Sequence, residues 1–510
     1  MDSRSKNGVR NVAAGFINRA VQMVLPFITR TLIVYYLGEK FLGLGGLFTS
    51  ILMVLNLSEL GFGSALVFSM YKPIAVGDDN KVCALLNLYK KIYTWIGIII
   101  CICGVLFAPF IPHIIKGDLP EGVNIYIIYF IYLSNTVLSY LVFAHKKALL
   151  TAYQRSDILS NVNSIVFILS SAIQIFLLVL TSNYYFYIIV LPLFTVVDNL
   201  WTNYITNRRY PEIVAKGNIS KDEKQAIWKH VKGIALQKVC STSRSTFSNI
   251  IISMFLGLVT IAKYGNYFYI MEAIHNFLYQ IPNSIRATVG NSVASETVEK
   301  NYNDFGAMYL VYMWISGWCA TCLFCLFQPF MRIWMGEDLM FPISTVILIC
   351  IYFILLSLSD IIALYKDSAG LWWQGRYRVA IEAISNLFLS FLFGWLWGVN
   401  GLLIAMIITL SILGHGYGGY IVFHYYFKGY SFLRFIVTQL GYLVIICIVS
   451  YITFLICTLI HGGNYFQLIM DSVICIIIPN ILYYLFFRFF PSWDGALSFV
   501  KNIIKTAKNK

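Results

Sequence analysis

Five cationic side chains lie where so apolar a chain should carry none. Arg19, Arg30, Lys238, Arg244 and Arg286 each fall inside a long apolar run. A cation facing lipid at mid-helix costs about 2.5–3.5 kcal/mol on insertion scales. Each must therefore face a hydrated cavity or a counter-ion. Polar groups share the same runs: Asn18 beside Arg19, then Asn56 and Glu59, then Tyr267, Glu272, Asn276 and Gln280 ahead of Arg286. Glu59 and Glu272 together cannot neutralise five cations. Two readings stay open. An Arg19–Glu59 salt bridge would be structural, whereas unpaired cations in a cavity would take an anionic ligand, and Arg or Lys suits phosphate. Asp198, Asp360 and Glu382 are the other intramembrane acids and are candidates for coupling to H+ or Na+. The alternative for each is an acid bonded to nearby Ser or Asn: Ser357 and Ser359 stand near Asp360, and Asn199 follows Asp198. His275 reads as a satisfied lining residue rather than a proton relay.

No enzymatic constellation accompanies these groups. The sequence has no Walker loop, no HExxH pair and no Gly-rich nucleotide turn after a strand. No catalytic residue and no cofactor is assigned, and ATP is not the expected energy source. Cys319, Cys322 and Cys325 step at three-residue intervals without a neighbouring His or carboxylate. They read as small packing residues, with no metal expected. The eleven cysteines sit almost entirely in apolar runs and show no disulfide framework.

The elements that position these residues are membrane helices. Of 510 residues, 59% are hydrophobic and only 12% charged, too few to cover a soluble surface. Apolar runs of about 20 to 28 residues predict helices rather than barrel strands. They fall at 11–36, 42–70, 89–115, 124–145, 158–180, 185–206, 232–258, 260–290, 305–331, 342–365, 379–398, 401–424, 435–460 and 467–488. The first is too long for a signal-peptide core and reads as a retained helix. The net charge of +14 follows from the positive-inside rule and implies no nucleic acid. Most basic residues outside the runs share the side of the termini; the other side holds only Lys40, Lys116, Lys263 and Arg332. Both termini are thus expected in the cytoplasm.

Shifted by 219 positions, the sequence begins to match itself. Arg10 falls on Lys229, Arg19 on Lys238, Leu37-Gly38 on Leu256-Gly257, and Ala144 and Lys147 on Ala363 and Lys366. One residue of slippage brings Gly117-Asp118 onto Gly336-Glu337. The expected fold class is an all-α integral membrane protein of about fourteen transmembrane helices, with two parallel six-helix repeats and two extra C-terminal helices. The expected division is an N-terminal lobe over 1–206, a cytoplasmic linker over 207–231 and a second lobe over 232–424. Helices 13 and 14 follow over 425–488, then a tail over 489–510. The tail's apolar stripe and four lysines predict an amphipathic helix on the inner leaflet. Parallel lobes imply alternating access, with substrate between them.

Arg10-Asn11-Val12, Tyr36-Leu37-Gly38, Glu59-Leu60-Gly61-Phe62-Gly63-Ser64-Ala65 and Tyr71-Lys72-Pro73-Ile74-Ala75 resemble the bacterial polysaccharide-unit (O-antigen type) flippases. These belong to the multidrug/oligosaccharidyl-lipid/polysaccharide exporter superfamily. The resemblance is sharpest over residues 8–95. It implies a multi-pass protein of the bacterial cytoplasmic (inner) membrane, moving an undecaprenyl-pyrophosphate-linked glycan to the periplasmic leaflet for surface polysaccharide synthesis, driven by an ion gradient. Arg19, Lys238, Arg244 and Arg286, with Arg30 near the face of Arg19, would meet the pyrophosphate. Asn18, Asn56, Tyr267, Asn276 and Gln280 would meet the sugars. Partners would be the lipid-linked glycan, membrane lipids and other polysaccharide-assembly membrane proteins. A peptidoglycan-precursor flippase, a multidrug or cation antiporter of the same superfamily, and a non-transporting scaffold are the alternatives. A drug exporter's cavity should carry net acid, and a scaffold has no need for buried cations.

Overall fold

The computed structural model describes residues 2–59, 61–460 and 462–508. Within them the side chains of 2–14, 16–17, 226, 229–230, 232–245 and 502–508 lie outside the described set, those of Lys238 and Arg244 included. Every regular element among the described residues is helical. Contacts divide the chain into two compact units, Met1–Ala262 and Lys263–Lys510.

The first unit contains α1 (Asp2–Leu37), α2 (Glu39–Leu55), α3 (Phe62–Val76), α4 (Asp79–Phe107), the single turn α5 (Ile111–Ile114) and α6 (Ile125–Leu141). It continues with α7 (Ala144–Ala152), α8 (Ser156–Thr181), α9 (Tyr184–Arg209) and α10 (Lys221–Leu256). α1 runs along α8 and α2, α6 packs on α4 and α9, and α10 lies against α2 and α3. Helix starts carry the polar caps their sequences offer. Asn124 and Asn183 accept from the backbone N–H groups of Tyr126 and Tyr185, and Ser220 and Glu223 form a reciprocal capping box on α10.

The second unit begins within α11 (Leu258–Leu278) and continues with α12 (Gln280–Ser295), α13 (Val298–Met335), α14 (Ile343–Ser368) and α15 (Arg376–Thr409). A π-helical stretch over 410–417 leads into α16 (Gly418–Tyr425), followed by α17 (Phe432–Thr458), α18 (Asn464–Phe487) and α19 (Trp493–Lys508). α13 is the organising helix: α14, α17, α18 and α19 all pack on it.

Ten helical stretches of the described residues are long and apolar enough to cross a membrane, and α6 with α7, bent by 50°, forms an eleventh. One of the ten is the continuous 50-residue run Arg376–Tyr425. It breaks at Gly398 (φ 62°, ψ −137°), between the helices expected over 379–398 and 401–424, and so counts as two. α10 and the α11–α12 pair are less apolar because they carry the polar residues of interest; with them the number reaches the fourteen expected. The chain is an all-α, multi-pass integral membrane protein.

The repeat offset recurs in the backbone. Gly38 (φ 95°, ψ 166°) separates α1 from α2, and its counterpart Gly257 (φ 84°, ψ −179°) separates α10 from α11. Gly117 and Gly336 both have positive φ, 88° and 83°. Only glycine enters this region without strain. Two spans expected as continuous are interrupted, and at the same offset. The first breaks at the 3-10 turn Asn56–Glu59 and the left-handed Gly61, the second at Tyr279–Gln280. In the second, Pro282 has no N–H for the carbonyl one turn back, which frees that group and opens the helix.

Candidate functional site

In the first unit the polar groups converge on the α2–α3 break. Tyr93 of α4 donates its hydroxyl to Glu59 Oε1 at 2.5 Å and stacks on Tyr89, ring centroids 4.1 Å apart. Gly63 makes room for this: a Cβ there would lie 2.4 Å from the Tyr93 hydroxyl and 2.8 Å from Glu59 Oε1. Asn56 Oδ1 and Ser58 Oγ are buried without a hydrogen-bond partner among the described residues.

α1 carries the cations. Arg19 is exposed and Arg30 half-buried. Asn18, beside Arg19, is already committed: its amide donates to Ser160 O at 3.2 Å and Ser164 Oγ at 3.0 Å, fastening α1 to α8. Asp198 takes the ammonium of Lys147. Asn199 does not supply that bond; both of its amide atoms are buried without a partner. Lys238 and Arg244, on α10, have side chains outside the described residues.

In the second unit the groups converge on the α11–α12 break. Glu272 and Asn276 are exposed on α11 one turn apart, and Gln280 donates to Asn276 O at 3.1 Å. Arg286 of α12 is held twice, through Asp367 Oδ2 at 2.9 Å and the Tyr279 hydroxyl at 3.1 Å. Tyr267 is fully buried. Its hydroxyl donates to Gln328 Oε1 at 2.9 Å and accepts from the Phe341 N–H at 3.2 Å, so it ties α11 to α13 and to the segment before α14.

The three acids differ in what meets them. Asp198 faces Lys147. Glu382 faces Arg378 at 3.1 Å, and that guanidinium also donates to the carbonyls of Leu413 and Gly414 in the π-helical stretch. Asp360 has a different environment. Its Oδ2 accepts from the Tyr312 hydroxyl at 2.7 Å and lies 3.1 Å from His275 Nε2. Ser357 and Ser359 turn back to the carbonyls of Phe353 and Leu355 on their own helix. The neighbours that the sequence offered Asp360 are thus occupied, and residues from two other helices meet it instead.

Sequence reasoning gives Tyr93, Tyr312, Lys147, Arg378 and Asp367 no role in the site, although Lys147 falls on Lys366 in the repeat. Nothing in the sequence alone linked any of these residues to its acid or cation.

No protein-family model matches the chain, and no curated protein matches it. Solved structures do. One described as lipid II flippase MurJ in an inward closed conformation aligns with a TM-score of 0.67 at 15% identity, covering 94% of this chain and 99% of that one. An inward-facing multidrug resistance MATE transporter of the MOP superfamily aligns with a TM-score of 0.60 at 14% identity, covering 78% and 93%. A MATE transporter from Vibrio cholerae aligns with a TM-score of 0.55 at 13% identity, covering 85% and 99%. At these identities the likeness establishes the fold: this chain is built like the flippases and exporters of that superfamily.

Proposed function

We propose that this chain flips a polyprenyl-pyrophosphate-linked oligosaccharide unit from the cytoplasmic to the outer leaflet of a bacterial inner membrane by alternating access. It is a transporter and not an enzyme. The observation that supports this most is the pair of helix breaks at repeat-equivalent places, 56–61 and 278–280. Interrupted helices in corresponding positions of two halves mark transporter binding sites, because freed backbone groups are tolerated only where they line a cavity. Cations lie near both breaks in sequence: Arg19 and Arg30 on α1, one helix before the first; Lys238 and Arg244 on α10, one helix before the second; and Arg286 on α12, just after it. In this reading Arg19 and Lys238 hold the pyrophosphate. Arg286 joins by exchanging the Asp367 carboxylate for a phosphate oxygen. Asn276 and Glu272 meet sugar hydroxyls, and the polyprenyl tail stays in the bilayer.

Asp360 with His275 is the coupling site in this mechanism. Asp198 and Glu382 are neutralised by the fixed cations Lys147 and Arg378, whereas Asp360 meets an imidazole and a tyrosine hydroxyl.

The test is leaflet-resolved transport in vesicles containing the purified chain, with labelled lipid-linked glycan and an imposed ion gradient. Gradient-dependent movement of the label to the far leaflet is expected; none in any gradient sinks the reading. A peptidoglycan-precursor lipid is the second reading, favoured by the end-to-end likeness to the lipid II flippase. Transport of that precursor and not of the polysaccharide unit would select it.

A further inference from the structure

Three cysteines that are remote in sequence meet inside the second unit. The sulfur atoms of Cys325 on α13, Cys457 in the last turn of α17 and Cys475 on α18 all lie within 4.8 Å of one another, and all three residues are buried. A fourth potential ligand stands next to Cys457, although its oxygens do not lie within 4.8 Å of all three sulfurs. Asp471 is four residues before Cys475, on the same face of α18, and is 1% exposed. Its carboxyl group bonds the Cys457 sulfur. Its Oδ1 is buried with no hydrogen-bond partner, and among the described residues no cation pairs with it. A carboxylate so placed, without a positive neighbour, is one of the costliest groups a protein interior can hold.

We propose that Cys325, Cys457, Cys475 and Asp471 form a binding site for a thiophilic divalent cation of the zinc class. Three sulfurs and one carboxylate oxygen make a closed tetrahedral set for Zn2+, the ligand count of a structural site. Zinc–sulfur bonds of about 2.3 Å put sulfurs of a tetrahedron about 3.8 Å apart, so the three sulfurs need to contract by about 1 Å at most, and the Asp471 carboxylate has to turn in from beyond the 4.8 Å that spans them. Binding displaces the thiol protons to solvent and gives Asp471 the positive charge it lacks. The surroundings are built to hold the cluster in place. Trp318 Nε1 donates to the Cys475 carbonyl at 2.8 Å, and the Cys322 thiol points to the same carbonyl at 3.9 Å. Phe324, Phe454 and Ile474 close over the sulfurs. Cys319, Cys322 and Cys325 drew attention as a triplet, but only Cys325 belongs to this set. The ion would fasten α17 and α18, the pair outside the repeat, to the organising helix α13.

The experiment uses the full chain in detergent, reduced and stripped with a chelator, then titrated anaerobically with Co2+. About one Co2+ per chain is expected, with a sulfur-to-cobalt charge-transfer band in the near ultraviolet that Zn2+ abolishes on displacement. Cys457→Ser and Cys475→Ser should each lose the band, and Asp471→Asn should weaken Co2+ binding at least tenfold. Cys103→Ser, remote from the cluster, should leave both unchanged. Should the serine variants misfold, the wild-type chain alone decides, since Zn2+ must raise its unfolding temperature and the chelator must reverse the rise. Absence of the band in wild type, its persistence in the Cys457→Ser/Cys475→Ser double variant, or a 2 Da mass loss showing a disulfide in the isolated protein overturns the proposal. So does binding of Cu+ without Co2+ or Zn2+, which would point to a three-sulfur site that leaves Asp471 out.

Discussion

Tyr93 reaches across from α4 to hold Glu59 at the point where the second span breaks, with 2.5 Å between hydroxyl and carboxyl oxygen. The absent side chain of Gly63 is what lets the two meet. A methyl group at Gly63 would overlap both oxygens. Gly63→Ala is expected to cost about 1–3 kcal/mol, the usual range for overpacking. Thermal unfolding in detergent reads the cost, and adding Tyr93→Phe should recover part of it by removing the nearer oxygen. An unchanged unfolding temperature in Gly63→Ala would contradict the geometry.

Asp360 and the two paired acids should separate by phenotype. Asp360→Asn and His275→Gln are expected to abolish gradient-driven transport while the protein still folds and binds substrate. Glu382→Gln removes the carboxylate that Arg378 bonds in a largely buried place, and a loss of stability is expected, up to about 3–5 kcal/mol. Folding yield and transport, measured on the same preparations, make the comparison. Normal transport in Asp360→Asn would remove it from the mechanism.

Arg286 offers a cycle that distinguishes a salt bridge from a phosphate ligand. If its only task is to pair with Asp367, the double variant Arg286→Gln/Asp367→Asn should restore whatever either single variant loses. If it also meets the pyrophosphate, the double variant should fold normally and still export poorly. Arg19→Gln should impair export alone, and Arg19→Lys should be milder, losing only the two-pronged geometry of the guanidinium.

The repeat-equivalent glycines should respond unequally. Gly38→Ala forces an L-residue into an extended, positive-φ region that is almost exclusive to glycine, costing about 1–3 kcal/mol, but no atom lies within 4 Å of the new methyl. Gly257→Ala incurs the same strain and also brings the methyl to 2.8 Å from the Lys116 carbonyl. The Lys116 N–H and ammonium cap the end of α10 through the carbonyls of Ser253 and Phe255. Gly257→Ala should therefore lower the unfolding temperature more than Gly38→Ala; equal effects would refute this account.

Glu223 at the start of α10 bonds Lys81 at 2.5 Å. That bond holds its carboxyl below the ordinary range. A lowered folded-state value means that the contact is fully present above the ordinary carboxyl range and is lost as pH falls through the folded value. Backbone hydrogen exchange at residues 219–224 should accelerate, relative to the unfolded-chain rate, between pH 5 and 3, and high salt should have a similar effect at neutral pH. Exchange protection that is flat across that range would count against the pairing.

Much of this was legible in the sequence, and the reasons for the rest are specific. The apolar runs place the helices because lipid permits little else, and the 219-residue offset locates Gly38 against Gly257 before any dihedral is known. The breaks were missed although their signals were present. Gly61 closes the first and Pro282 follows the second, but a long apolar run hides so short an interruption. Partners of buried acids were the least legible. Ser357 and Ser359 looked available to Asp360 because they are near in sequence, yet a hydroxyl inside a helix satisfies itself on its own backbone. The sulfur cluster assembles residues from three helices, so the visible triplet on α13 indicated the wrong set.

The placement of α10 bears on how the chain could be divided. By sequence it opens the second copy of the repeat, yet by contact it lies in the first unit, against α2 and α3. A cut anywhere in the loop over 210–220 would sever the polypeptide without severing the packing. The two fragments would stay clasped, the second retaining its hold on the first through α10. Fragments expressed from separate genes would have to meet during insertion, since the first would lack α10, a helix that its own core requires.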